Sequence, residues 1–228
     1  MQHTPKAWSI KLSRYTSMTF TTLSAQDLDA ATAYRLLTGI VVPRPIAWIT
    51  TINAQGVVNA APFSSYNYVA HSPPMVAINI SSRAGEKKDT ARNIDASGEF
   101  VVNVTTLANM ELMHLSSADF APEESETTQL GIALLPSRHV LPPRIELSPI
   151  QMECRLHQAV VLGDMNTLYI GQVVAFHLSS SVYDGRYVDS AALQPVGRLG
   201  GPVYAAMGER IVRPVLQSPA VAEAGKPE

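Results

Sequence analysis

Short apolar runs separated by turn residues dominate the chain, and they predict β-strands. Residues 46–52 and 57–61 flank the turn Asn53-Ala-Gln-Gly56, a pattern typical of a β-hairpin. A second, longer hairpin is expected around the turn Gly163-Asp-Met-Asn166. The predicted strands are 46–52, 57–61, 75–80, 99–105, 150–162 and 167–178, with 208–214 as a segment that would close the sheet.

Helical spacing is confined to short stretches between these strands. Leu28, Ala31, Tyr34 and Leu37 follow one another at helical spacing, with Ser24 as the expected N-cap and Gly39 as the end. Further helices are expected from about Asp89 and over 107–116. About six or seven strands, mostly joined as hairpins, with two or three inserted helices favour an antiparallel barrel over a βαβ alternation.

The pattern places one domain over residues 21–214. A long excursion over 117–145 holds Pro122, Pro136, Pro142 and Pro143, and a short helix is expected in it near Glu124. Residues 1–20 are interpreted as an irregular arm. Residues 215–228 are rich in Pro, Ala, Gly and Glu and are interpreted as a disordered tail.

Composition narrows the class of protein further. The 228 residues are 46% hydrophobic and only 16% charged, which predicts surface covered by another subunit or by a ligand. The net charge of −2 argues against nucleic-acid binding. A single cysteine, Cys154, excludes an internal disulfide and indicates a cytoplasmic protein. The absence of a long apolar run predicts no membrane span.

The loop over residues 81–90 is the strongest candidate binding site. Ser81 ends an apolar strand, three cations follow at Arg83, Lys87 and Lys88, and Asp89-Thr90 begins a helix. Free backbone N–H groups and the helix dipole favour an anion there, and Ser81, Arg83, Lys88 and Thr90 could complete the shell of a phosphate. An ordinary solvated turn with a helix cap uses the same residues, so both interpretations stay open.

Two other stretches concentrate polar and aromatic groups. Residues 61–68 run Ala-Pro-Phe-Ser-Ser-Tyr-Asn-Tyr, which suits the edge of a planar heteroaromatic ligand such as an isoalloxazine. The alternative is a barrel corner whose polar groups satisfy a bulge. Arg44 lies between two prolines and is presented rigidly, whereas Trp48 follows in a strand that is apolar on both faces and is expected to be buried.

Several other chemistries lack their sequence signals. The histidines are scattered without a close pair at metal-ligand spacing, so no metal site is expected. There is no G-x-S-x-G motif, and Cys154 lies within a strand, where a buried thiol is inert. Gly197, Gly200 and Gly201 do not form G-x-G-x-x-G, so a Rossmann dinucleotide site is not predicted.

Taken together, these segments resemble the flavin reductase-like family of FMN-binding split-barrel proteins. The resemblance spans about residues 37–213 and depends on the order and spacing of several motifs. These are Arg44-Pro-Ile-Ala-Trp-Ile-Thr-Thr51, Asn59-Ala-Ala-Pro-Phe-Ser-Ser-Tyr66, Lys88-Asp-Thr-Ala-Arg-Asn93, Gly98-Glu-Phe-Val-Val-Asn-Val104, Gly171-Gln-Val-Val174 and Arg198-Leu-Gly-Gly-Pro-Val-Tyr204. It implies a mainly β fold: a six-stranded antiparallel split barrel of Greek-key type with two to four added helices.

The resemblance also assigns cofactor-binding residues, one by one. It implies flavin-edge contacts from Pro62, Phe63, Ser64 and Ser65, and phosphate contacts from Ser81, Arg83, Lys88 and Thr90. Arg44 and Trp48 match a strand that lines the same pocket. Arg198, Gly201 and Tyr204 match a segment that approaches the flavin, from the same subunit or from its partner. No catalytic side chain is expected, because the flavin itself carries the chemistry.

The function implied is that of an FMN-containing oxidoreductase. NADH or NADPH would be the transient reductant, the protein would be a homodimer with FMN at the interface, and a flavin-dependent monooxygenase is a candidate partner. A flavin-binding protein without nicotinamide turnover, acting as a store, sensor or electron relay, is the alternative. The sequence does not separate the two, because it carries no readable nicotinamide motif.

Overall fold

The structure is a computed structural model, and it describes residues 18–83, 85–121 and 123–213. Most of the expected arm over 1–20 and the whole of the expected tail over 215–228 lie outside the described residues. Within the described part, no helix is long and apolar enough to cross a membrane.

Strands form most of the regular structure. They are β1 (Arg44–Pro45), β2 (Ala47–Ile52), β3 (Val58–Phe63), β4 (Tyr66–His71), β5 (Pro74–Ser81), β6 (Glu99–Val104), β7 (Leu134–Leu135), β8 (Arg144–Ile145), β9 (Ile150–Leu162), β10 (Asn166–Leu178), β11 (Val196–Arg198) and β12 (Tyr204–Ala206). The helices are α1 (Ala30–Ile40), α2 (Asp89–Ser97), α3 (Met110–Leu115), α4 (Glu126–Gln129) and α5 (Ser190–Leu193), with a 3₁₀ turn at Ala25–Asp27.

Seven strands form one antiparallel sheet in the order β3-β2-β6-β9-β10-β5-β4. A smaller sheet, β1-β11-β12, and the pair β7-β8 stand beside it. The mainly β antiparallel fold class is therefore confirmed, with one strand more in the main sheet than the six expected. The extra strand at its edge is β4, which the sequence pattern did not separate from the polar stretch that contains it.

The main sheet packs around an apolar interior drawn from both of its halves. Ile49, Phe100, Ile78 and Tyr169 are all wholly buried there, and α2 adds Ile94. The packing leaves no room at Gly171, where a Cβ would come within 2.3 Å of the Phe100 ring. A glycine at this point of β10 therefore lets the phenyl ring of β6 lie against the neighbouring backbone.

Two local expectations were wrong. The first helix begins at Ala30, because the Asp29 carboxylate accepts a hydrogen bond from the Thr32 N–H, 2.5 Å away, whereas Ser24 makes no such bond and precedes only a 3₁₀ turn. The segment 208–213 forms no strand. The last strands, β11 and β12, lie before this segment and belong to the smaller sheet, where β11 pairs with β1 on one side and with β12 on the other.

The excursion over 117–145 folds back on the main sheet and is fastened at both ends. Near its start the short helix expected close to Glu124 forms as α4, and Glu126 accepts a hydrogen bond from the Ala60 N–H of β3. Near its end the N–H groups of Arg138 and His139 donate to Glu153 of β9. This arrangement places the first part of the excursion beside β3 and the start of α2.

Candidate functional site

An open cavity of about 700 Å³ lies where β3 and β5 end and α2 begins. The C-cap of α3 at Ser116 and the excursion residues 117–120 close one side of it. Cavities that hold drug-sized ligands are typically about 300–1,000 Å³, so this one is large enough for a mononucleotide-sized molecule. Its lining includes Asn59, Pro62, Phe63, Ser81, Arg83, Lys87, Lys88, Thr90, Ser116, Ser117, Asp119 and Glu126.

The N-terminus of α2 forms one end of this cavity. Lys88 occupies the N-cap position in an extended conformation, and its side chain makes no capping hydrogen bond within the described residues. The first-turn N–H groups of a helix have no intrahelical partner and carry a partial positive charge. The start of α2 is therefore suited to an anion.

Thr90 lies in the first turn of α2 and is buried, yet its side chain contributes to the cavity wall. The Asn59 amide donates to the Thr90 hydroxyl oxygen at 2.9 Å. Because an anion can only accept, the hydroxyl proton is the group that Thr90 can offer to an anionic ligand. Asn59 is thus a positioning residue that the sequence patterns did not single out.

Arg83 and Ser81 reach the cavity from the end of β5, and both have partners already. The Arg83 guanidinium forms an ion pair with Asp119, on the opposite wall. The hydrogen bond and the charge of Asp119 raise the pKa of Arg83, and those of Arg83 lower the pKa of Asp119. The Ser81 hydroxyl donates to the Asn166 side-chain oxygen at 2.6 Å.

Lys88 lies between Arg83, at the cationic end of the cavity, and Phe63, at its aromatic end. Its ammonium lies 5.8 Å from the centre of the Phe63 ring. Loss of surrounding water lowers the pKa of this ammonium, the nearby Arg83 lowers it further, and Asp119 opposes the shift. An anion placed between Lys88 and Arg83 would relieve the repulsion between the two cations.

Glu126 brings a carboxyl group into the same cavity. The side chain is buried, and it accepts the Ala60 N–H at 2.9 Å. Burial is the main cause that raises the pKa of this carboxyl; the Ala60 N–H opposes the shift, and the nearby charge of Asp89 adds to it. A carboxyl group with unused acceptor positions is suited to ligand hydroxyl groups.

A second, smaller cavity of about 190 Å³ adjoins the first, since Pro62 and Ser117 line both. Ser64, Arg44, Arg198, Gly201 and Tyr204 also line it. The Arg44 guanidinium donates to the carbonyl groups of Thr38, Val41 and Leu199, and its Nε lies 3.4 Å from the Ser64 hydroxyl. Arg44 therefore acts mainly as a clamp between α1, β1 and the segment after β11.

Comparison with known proteins assigns the chain that forms these cavities to a family. The family model described as the flavin reductase like domain matches residues 39–192. The chain belongs to the flavin reductase-like family. A curated relative, the uncharacterized protein YwrF of Bacillus subtilis, is 40% identical over 199 residues, which are 83% of this chain and 97% of that protein.

Two solved structures of similar proteins carry functional names. Nitrilotriacetate monooxygenase component B from Bacillus cereus superposes with a TM-score of 0.84 at 33% identity, covering 86% of this chain and all of that one. The 2-nitrobenzoate 2-nitroreductase NbaA of Pseudomonas fluorescens gives 0.79 at 34% identity, covering 87% and 100%. The resemblance inferred from the sequence motifs is thereby confirmed at the level of family and fold.

For this flavin reductase-like chain, the structure brings most of the predicted cofactor residues to the two cavities. Pro62, Phe63, Ser81, Arg83, Lys88 and Thr90 line the larger one, and Arg44, Pro62, Ser64, Arg198, Gly201 and Tyr204 line the smaller. Which of them contact a flavin stays a prediction.

Two predicted residues lie outside both cavities. Trp48 is wholly buried among Ile46, Met113 and Val196, and its indole N–H donates to the Ser116 hydroxyl at 2.9 Å. Trp48 thus supports the cavity wall from behind. The side chain of Ser65 is exposed, and its carbonyl group accepts the Asn79 N–H at 2.8 Å, which joins the start of β4 to β5.

Sequence patterns missed the contribution of the excursion. Ser117, Asp119 and Glu126 reach the larger cavity only because the excursion folds back over β3. The excursion shows no periodicity that would reveal this packing. The one local signal is Ser125, which caps α4 by accepting the Thr128 N–H and so fixes where Glu126 begins its helix.

Proposed function

We propose that this chain is an FMN-binding, NAD(P)H-dependent flavin reductase that supplies reduced flavin to an acceptor or to a partner monooxygenase. The observation that carries the proposal is the larger cavity. The N-terminus of α2, with Lys88 at its N-cap position, lines this cavity together with Arg83, and Pro62 and Phe63 form another part of the wall. A ligand with a phosphate group and a planar ring suits this cavity, because the phosphate matches the cationic start of α2 and the ring matches the wall formed by Pro62 and Phe63.

The phosphate of FMN would be held at the start of α2. The first-turn N–H groups and the Lys88 ammonium would donate to it, and the Thr90 hydroxyl, ordered by Asn59, would add its proton. Charge-assisted hydrogen bonds of this kind are roughly twice as strong as neutral ones. The fit rests on groups that the folded chain already holds in place.

The ribityl chain and the ring would extend away from that end. Glu126 has acceptor capacity beyond the Ala60 N–H, which suits the ribityl hydroxyl groups. Pro62 and Phe63 give an apolar wall for the ring. When bound, FMN supplies hydride and electron transfer chemistry, and the role of the chain is to bind and orient it.

We also propose that the protein works as a homodimer with the flavin near the interface. Helix α1 has no buried residue, and its large apolar side chains Tyr34, Leu37 and Ile40 are each more than 60% exposed. Phe20 and Leu23, just before it, are exposed as well. Apolar surface of this extent favours coverage by a second copy, and Tyr34 ties the same surface to the smaller cavity.

Anaerobic stopped-flow absorbance at the flavin band tests the reductase proposal. The protein loaded with FMN is mixed with NADH and, separately, with NADPH. Bleaching of the flavin by either nicotinamide within turnover time is the expected result, and the faster one identifies the reductant. A protein that binds FMN tightly and is bleached by neither would instead be a carrier or an electron relay.

The dimer is tested independently by light scattering at several protein concentrations, with and without FMN. A mass of twice the chain is expected. A stable monomer that still binds FMN would contradict an interface site while leaving the reductase proposal intact.

A further inference from the structure

The smaller cavity has the size of a single-ring ligand. Its volume of about 190 Å³ is below the roughly 300 Å³ at which drug-sized sites begin. A protein cavity of about 150 Å³ holds one benzene molecule. The space therefore fits one aromatic ring with a small substituent, and it is too small for a whole flavin or dinucleotide.

The charge of this cavity is of one sign. Arg44 and Arg198 both line it, and no carboxylate does among the described residues. Arg44 is engaged with three backbone carbonyl groups, so it contributes positive potential without a free donor fork. Arg198 differs, because its Nη2 has no hydrogen-bond partner within the described part of the chain.

Neighbouring groups hold the Arg198 guanidinium in place. Its Nε donates to the Gly201 carbonyl at 2.9 Å, its Nη1 donates to the Tyr204 hydroxyl at 2.6 Å, and its Cζ lies 4.6 Å from the Tyr204 ring centre. Arginine can only donate, so the Tyr204 hydroxyl oxygen accepts from Arg198, and the same hydroxyl group lies 2.9 Å from His114 Nδ1. A guanidinium held in this way loses little entropy when it binds an anion.

The rest of the wall combines the hydroxyl-bearing residues Tyr34, Thr38, Ser64 and Ser117 with apolar side chains. Ile46, Pro62 and Met113 contribute to the wall, and Pro62 also belongs to the larger cavity. We infer that the smaller cavity binds an aromatic carboxylate, with the carboxylate on Arg198 and the ring against Ile46, Pro62 and Met113. The ligand would lie next to the larger cavity, whatever molecule that cavity holds.

Calorimetric titration of the full chain, saturated with FMN, with benzoate tests the inference. Benzamide is the neutral probe of the same shape. Benzoate is expected to bind at least about tenfold more tightly than benzamide, since only the anion forms a charge-assisted bond with Arg198. Arg198→Gln is expected to weaken benzoate about tenfold or more and to leave benzamide unchanged.

Arg186→Gln is the matched control, because it removes the same charge from an exposed arginine that stacks on Tyr187 and lines neither cavity. It is expected to change neither probe. FMN affinity is measured for each variant by flavin fluorescence. If Arg198→Gln weakened FMN as much as benzoate, Arg198 would belong to the flavin site and the inference would be wrong.

Two other results would also overturn it. One is equal binding of benzoate and benzamide to the unsubstituted protein, a comparison that stands even if Arg198→Gln fails to fold. The other is loss of NADH binding in Arg198→Gln with no benzoate binding to the parent, which would assign the cationic cavity to the phosphates of the nicotinamide. Normal FMN binding in either case would leave the proposed reductase untouched.

Discussion

Two buried glutamates fasten the excursion to the barrel, and they differ in how completely their charge is satisfied. Glu153 is wholly buried and accepts from the N–H groups of Arg138 at 2.8 Å and His139 at 2.6 Å, while His177 Nε2 lies 2.6 Å away. Glu126 is 7% exposed and accepts the Ala60 N–H at 2.9 Å, and its own backbone N–H also lowers its pKa. Only Glu126 lines the larger cavity.

Their pKa shifts run in opposite directions for this reason. Burial would raise the pKa of Glu153, but the hydrogen bonds from Arg138, His177 and His139 outweigh it and lower the pKa. At Glu126 burial prevails and raises the pKa. The difference teaches that a buried acid surrounded by donors serves the fold, whereas one with spare acceptors beside a cavity is available to a ligand.

The largest expected effect is on stability, from Glu153→Gln. The amide would present an N–H₂ group to donors that now share a carboxylate, so a buried charged network would be broken. Such a loss costs about 3–5 kcal/mol in the free energy of unfolding. Urea denaturation at pH 7 measures it, with the exposed Glu146→Gln as the control that should change little. A loss below about 1 kcal/mol would mean that Glu153 does not fasten the excursion.

The next effect is on ligand affinity, from Lys88→Ala combined with Thr90→Ala. Both side chains line the cavity. Their charge-assisted bonds to the phosphate are worth about 1.5–3 kcal/mol each at most, so FMN binding should weaken about tenfold or more. Arg186→Ala is the control, because it removes the same charge from an exposed residue that lines neither cavity. Unchanged FMN affinity in the double variant would show that the phosphate binds elsewhere.

The pH dependence of stability should separate the two glutamates more finely. The lowered pKa of Glu153 contributes stability that is present above the ordinary carboxyl value of about 4.3 and is lost as pH falls through the folded-state pKa. The raised pKa of Glu126 works the other way, because its charged form costs stability at neutral pH and protonation relieves that cost as pH falls through the raised value.

Urea midpoints measured from pH 8 to pH 3 would therefore show two separate pH ranges in which the stability of a variant changes relative to the parent. Glu126→Gln should be at least as stable as the parent at pH 8, and its advantage should shrink at pH values above the ordinary carboxyl pKa. The deficit of Glu153→Gln should shrink only below that value. Parallel curves for both variants would contradict the distinction.

The strands and helices could be predicted from the sequence far better than the residues that line the cavities. The hairpin of β9 and β10 could be read from two long runs around Gly163-Asp-Met-Asn166, because apolar content and turn residues are local properties. The end of β5 and the start of α2 were also readable, since a strand end and a helix start each have their own signal. The resemblance of several motifs to those of known proteins also allowed the family to be predicted from the sequence.

The role of the excursion could not be read in the same way. The residues next to Glu126 and Glu153 in the sequence do not distinguish the two acids. Their pKa shifts differ because of the backbone N–H groups that a distant segment brings near each carboxylate. Trp48 illustrates the opposite case. Its apolar setting indicated burial, and the structure buries it, while the motif resemblance alone had placed it on a strand that lines the pocket.

The smallest expected effect concerns Asp119, the excursion's carboxylate on the wall opposite Arg83. In the ligand-free chain it pairs with Arg83. A phosphate that takes Arg83 must displace this carboxylate and tolerate its charge. Asp119→Asn should therefore tighten FMN binding by about twofold to fivefold at low salt, the range that exposed ion pairs support, and the gain should fade at 0.5 M salt as screening grows.

Asp27→Asn, an exposed acid in the 3₁₀ turn before α1, removes the same charge outside both cavities and should leave FMN affinity unchanged. Flavin fluorescence titration at two salt concentrations measures both variants. If Asp119→Asn weakened FMN binding instead, Asp119 would be orienting Arg83 for the phosphate and not competing with it. Asp119 would then resemble Glu153, a carboxylate whose charge is satisfied by its partners, and exposure to the cavity would no longer mark an acid of the excursion as available to a ligand.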